Sequence, residues 1–81
     1  MLKYFGEIVG WYGAVAILIA YALVSFSLLT PTSLEYQILN LTGGVGIIIN
    51  SFKHKAYPST ILNAIWSIIA VVAILRVLVT I

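Results

Sequence analysis

There is no cysteine anywhere in the 81 residues, so disulfides and thiolate metal ligands are excluded as sources of stability or chemistry. Charge is almost as scarce. Four basic and two acidic residues make up 7% of the chain and leave a formal charge of +2. So few cations cannot build a nucleic-acid surface or a polybasic lipid-binding segment, and no nucleic-acid partner is predicted. The two acids, Glu7 and Glu35, both fall at the ends of apolar runs. A buried carboxylate proton relay and a dedicated cation pump are therefore not expected. The single histidine, His54, stands between Lys53 and Lys55 and reads as a solvated loop residue. No nucleophile–base pair, metal-ligand cluster or phosphate loop can be assembled from this inventory. The sequence predicts no enzyme, no metal and no cofactor.

What the chain does have is apolar surface, with 63% of its residues hydrophobic. A soluble domain of this size buries only about 60% of the surface its unfolded chain exposes, too little to hide so much apolar material. The expected solvent is the lipid bilayer, and the length allows one domain, residues 1–81.

Charge-free stretches divide that domain. Residues 8–34 contain none, and Pro31 ends the first helix because it disfavours a helical residue before it and lacks a donor. The first helix is expected at about 7–29, with Trp11 and Tyr12 suited to an interfacial belt. A cleaved signal peptide is the rival reading, with Ser25-Phe26-Ser27 as the small-x-small site. Thr32-Ser33-Leu34-Glu35 then reads as a capping box with Thr32 at the cap, opening a second helix at about 33–52. Its seventeen uncharged residues between Glu35 and Lys53 give only ~26 Å of helix. They include two asparagines and three glycines, so this segment should span only among other helices. Pro58 suits the first turn of a third helix at about 58–80, in which Arg76 can snorkel to the interface. No segment alternates with period two, and three strands cannot close a barrel. The predicted fold is an all-α membrane protein, a three-transmembrane-helix bundle paired as a two-fold homodimer.

Helical spacing groups the polar and small residues onto faces. Asn40, Gly43, Gly44, Ile47 and Asn50 share one on the second helix; Asn63, Trp66, Ser67 and Ala70 share one on the third. Gly6, Gly10, Gly13 and Ala14 form a small-residue stripe on the first, where Tyr21 and Ser25 form a polar one. The glycines, Gly10, Gly13, Gly43, Gly44 and Gly46, read as helix-packing positions through patterns such as Thr42-x-x-x-Gly46. The polar residues admit two readings. On the first, Asn40 and Asn63 make interhelical hydrogen bonds of roughly 0.6–2 kcal/mol each. Alternatively Asn63, Trp66, Asn40, Thr42 and Tyr21 line a cavity for a small neutral polar solute, amides bonding it and indoles stacking on it. Glu35 and Arg76 fall at the same end and are expected to pair.

Residues 36–75, in particular Leu41-Thr42-Gly43 and Ile61-Leu62-Asn63-Ala64, resemble the second and third helices of SemiSWEET sugar transporters, of the PQ-loop group. The resemblance implies three-helix protomers paired in parallel around a central cavity, with Asn63 at the solute. The chain is also similar to short, uncharacterised three-helix bacterial proteins, a likeness that implies no function. Passive transport of a neutral polar solute is the functional expectation. The alternative is a non-transporting accessory or structural membrane protein whose polar residues serve assembly.

Lys3, Lys53 and Lys55 lie on one side of the predicted membrane segments and Arg76 on the other. The positive-inside rule then predicts a multi-pass protein of the inner (plasma) membrane, amino terminus in the cytoplasm and carboxyl terminus outside. A reporter active only outside the cytoplasm, fused after Ile81, should be active, and a cytoplasm-dependent one silent. The opposite pattern defeats this orientation, and equal activities mean dual insertion.

Overall fold

The computed structural model of the protein describes residues 2–80, and over that range it is helical apart from two connections, residues 26–33 and 54–56. A single 3-10 turn, Leu2–Tyr4, leads into α1 (Phe5–Ser25), followed by α2 (Leu34–Lys53) and α3 (Tyr57–Thr80). At 1.5 Å per residue the helices are roughly 30–36 Å long, and the molecule measures 40 × 24 × 24 Å. Two of them, α1 and α3, are long and apolar enough to cross a membrane. Although α2 has 20 residues, it carries Glu35, Gln37, Asn40 and Asn50 and does not reach that hydropathy.

The boundaries differ from the sequence expectations for local reasons. Instead of continuing to Leu29, α1 stops at Ser25, four residues sooner, because Ser27 adopts a left-handed φ of 61°. The Ser27 amide donates to Val24 O and the Leu28 amide to Leu23 O, closing a Schellman motif. Lys55 does the same after α2 with φ 59°, and the Ala56 amide donates to Ser51 O at 2.8 Å. The cap of α2 is Ser33 rather than Thr32: its Oγ accepts from the Tyr36 amide at 3.2 Å. The residue three past the cap is thus Tyr36, and Glu35 takes no part in a capping box. At the other boundaries α2 runs one residue further than expected, to Lys53, and α3 begins at Tyr57 with Pro58 second.

Among the described residues α2 is the central element. It packs against α1 on one side and α3 on the other, whereas the α1 and α3 backbones stay more than 8 Å apart. The three helices therefore form an open arrangement. Its interior is made of small residues: Gly6, Gly13, Gly43, Gly44 and Gly46, with Ala16, Ala20 and Ala70. Among the described residues no large side chain is fully buried. Trp11, Leu18, Ile65 and Ile68 point outward, with Val79 84% exposed. This inverts the usual order, in which Leu, Ile and Phe fill the centre.

Backbone closeness replaces side-chain interlocking between α1 and α2. A Cβ built on Gly46 would collide with the carbonyl oxygen of Val9, and one on Gly13 with that of Gly43. Between α2 and α3, a Cβ on Gly44 would lie 2.7 Å from Ser67 Oγ. These contacts lie within one chain. Gly46→Leu should therefore damage the fold of the protomer itself, by at least ~1–3 kcal/mol of overpacking, seen as a lower unfolding midpoint in detergent. Val45→Leu, at an exposed neighbouring position, should change little. Equal midpoints for the two variants would place Gly46 outside any tight contact. At the first turn, Ser27→Gly should stabilise by ~0.5–1 kcal/mol, because glycine occupies the left-handed region without the Cβ penalty. A fall in midpoint would refute that assignment.

Candidate functional site

The gap between α1 and α3 forms a groove of about 410 Å³ on one side of α2. Ala14, Ile17 and Tyr21 come from α1, Tyr36 and Asn40 from α2, and Trp66 from α3. The floor pairing follows helical spacing, since residues four apart on α2 stand one above the other. Trp66 is 46% exposed and Tyr21 68%, so both rings stand at the rim rather than inside the fold. No charged residue lines the groove. Its polar atoms are one amide, two phenols and an indole N–H, able to donate and accept together.

Hydrogen bonding divides the five residues expected at a solute site. Tyr21, Asn40 and Trp66 meet in the groove; among the described residues none of these three side chains has a hydrogen-bond partner in the fold. Thr42 lies elsewhere, on the seam with α1, where its hydroxyl donates to Ile38 O at 2.9 Å. With that proton committed, the Tyr12 hydroxyl 2.7 Å away is the donor to Thr42 Oγ1. Asn63 is also outside the groove. It is 6% exposed between α3 and α2, and its Nδ2 donates to Ser59 O at 2.9 Å. Its Oδ1 would lie 3.9 Å from a Cβ on Gly44. The local i−4 carbonyl takes the amide that sequence spacing assigned to a cavity. Tyr36, which the sequence reading did not single out, lines the groove; its place one turn before Asn40 was the available signal.

Further polar links hold the frame. Asn50 Nδ2 donates to Gly6 O at 3.0 Å, with Gly10 closely apposed to the same amide. The buried Ser51 hydroxyl lies 2.7 Å from Thr60 Oγ1, which in turn donates to Ala56 O. Ser67 Oγ is buried without a partner. At the Lys-rich end, Glu7 receives Lys53 Nζ at 3.1 Å and His54 Nε2 at 2.9 Å. His54, exposed in the turn after α2, is thus hydrogen-bonded to α1, its Nε2 carrying the proton that the Glu7 carboxylate accepts. Glu35 and Arg76 make no ion pair: among the described residues the only acid so engaged is Glu7. Nor does any group of three His, Asp or Glu side chains there lie close enough to hold a metal ion.

No curated protein and no solved structure matches the chain. A protein-family model spans residues 6–80, all three helices from the first turn of α1 onward, and the chain belongs to that uncharacterised family.

Proposed function

We propose that the protein is a multi-pass membrane protein that carries a small neutral polar solute passively across the bilayer, working as a parallel homodimer. The observation that carries the reading is the groove of Tyr21, Tyr36, Asn40 and Trp66. An amide facing hydrocarbon without a partner costs several kcal/mol by transfer data and ~1–3 by protein mutation. Asn40 therefore favours a polar occupant. Aromatic rims and the absence of charge suit a hydroxyl-rich or amide-bearing molecule and disfavour ions, which would lose hydration uncompensated.

Lipid surroundings are supported by the outward-facing large side chains and by the two apolar helices, each longer than the ~30 Å hydrocarbon core. In this reading α2, shielded by its neighbours, spans as the third segment. Dimerisation rests on the groove being open on one side. A second copy across a two-fold axis would close it over the solute, two-fold pairing being the commonest oligomer symmetry. Kinship with the SemiSWEETs belongs to the same proposal. The site, however, moves from Asn63 to Asn40.

Flux into reconstituted vesicles, followed by light scattering after an osmotic step with urea, glycerol or glucose, tests this. Asn40→Ala should lower the rate at least ~10-fold, equivalent to about 1.4 kcal/mol, with insertion and oligomer size unchanged. Asn63→Ala should instead lower thermal stability, by ~1–3 kcal/mol, because the half-buried Ser59 carbonyl loses its extra donor and a void opens at a buried position. Loss of the dimer in Asn40→Ala would make that residue an assembly contact. No wild-type flux for any of the three probes would favour the accessory reading, with the groove as a seat for a partner helix.

A further inference from the structure

At the end of the molecule away from the Glu7–Lys53 pair, Arg76 stands where two depressions meet. One, of about 300 Å³, is walled by Val72, Leu75 and Val79 and is almost wholly apolar. The other, of about 260 Å³, runs between the start of α2 and the end of α3, past Thr32, Gln37 and Ala73. Arg76 and Thr80 border both. Among the described residues no acid pairs with Arg76, both observed ion pairs being made by Glu7. Glu35, the other acid, lies at this end but outside ion-pairing distance.

The neighbouring polar groups have defined tasks. Gln37 Nε2 donates to Pro31 O at 2.9 Å, which pins the turn carrying Thr32. Thr80 Oγ1 donates to Arg76 O at 3.0 Å, which steadies the last turn of α3 and uses that hydroxyl's proton. The donors left at this second trough are the guanidinium, the Thr32 hydroxyl and the second N–H of the Gln37 amide. The first turn of α2 borders the same trough through Gln37, so the positive end of that helix adds to the field. A forked cation, a hydroxyl and a helix N-terminal turn favour a singly charged phosphate ester. The apolar trough on the other side of the same arginine fits a hydrocarbon chain attached to it.

We propose that this corner binds one anionic phospholipid, with Arg76 on the phosphate, Thr32 beside it, and an acyl chain laid along Val72, Leu75 and Val79. The proposal rests on the membrane reading but not on solute transport. Phosphate and chain are gripped on opposite sides of one side chain, so a free phosphate ion should bind far more weakly than the lipid.

The test uses the full-length protein in phosphatidylcholine nanodiscs doped with spin-labelled phosphatidylglycerol or spin-labelled phosphatidylcholine. The motionally restricted fraction reports bound lipid. Wild type should prefer phosphatidylglycerol by about fivefold, the weight of one cation at an anionic surface. Arg76→Gln should remove the preference, and Arg76→Lys, which keeps charge but loses the fork, should retain part of it. Lys55→Gln, an exposed cation at the opposite end, should leave it unchanged. No preference in wild type overturns the site, as does a preference surviving Arg76→Gln or vanishing equally in Lys55→Gln. Inorganic phosphate stabilising the detergent-solubilised protein as well as phosphatidylglycerol does would overturn the lipid assignment in favour of a soluble anion. Failure of wild type to enter nanodiscs overturns the membrane reading and the site together, an outcome distinct from entry without lipid preference.

Discussion

Where α1 crosses α2, main chain meets main chain: Gly46 lies against the Val9 carbonyl and Gly13 against that of Gly43. The rest of the arrangement depends on that approach. Dispersion is worth only ~0.1–0.2 kcal/mol per atom pair, so an interface without large side chains needs many atoms brought close. Glycine provides this by removing the Cβ atoms that would hold the helices apart. With the two backbones so near, Asn50 reaches Gly6 O, Tyr12 reaches Thr42, and Lys53 and His54 reach Glu7.

The same close packing determines which polar groups are spent on the fold. On the α2–α3 side, Gly44 admits Ser67 and Asn63, while Ala70 is 1% exposed. Asn63 satisfies its amide on its own helix at Ser59 and so adds a buried polar group without a dangling donor. Asn40 is half-buried on the face of α2 that floors the groove between α1 and α3, with no hydrogen-bond partner among the described residues. One asparagine is thus consumed and the other left available, and that difference underlies the functional proposal.

The two ends of the molecule differ in the same way. At one, Lys53 is tied down, bonding both the Glu7 carboxylate and the Lys3 carbonyl. At the other, Arg76 has no acidic partner among the described residues and borders two troughs, one almost wholly apolar and one reached by Thr32 and Gln37. A paired charge mainly orients its neighbours, whereas an unpaired one is free to recruit a ligand. Exposure keeps the energetic worth of the first kind small, since surface pairs are screened by water and salt.

The number and type of the elements were legible in the chain by itself, because long charge-free runs separated by Pro31 and by Lys53-His54-Lys55 specify helices and turns through local physics. The small-residue positions were legible as well, since three- and four-residue spacing places Gly13, Gly43 and Gly46 on definite faces. Local rules were less exact at the ends. Nothing in the residue types of Ser27 and Ser33 foretold that one would take the left-handed position and the other the cap. Contacts between helices lay beyond sequence spacing altogether. Spacing places Asn63 and Trp66 on one face, but only the packing against Gly44 buries the first while the rim exposes the second. Likewise depth alone suggested Glu35 with Arg76, whereas rotation of each helix about its own axis set Lys53 and His54 on Glu7 instead. That rotation is fixed by which small residues can touch, a property of pairs of helices, and no single segment encodes it.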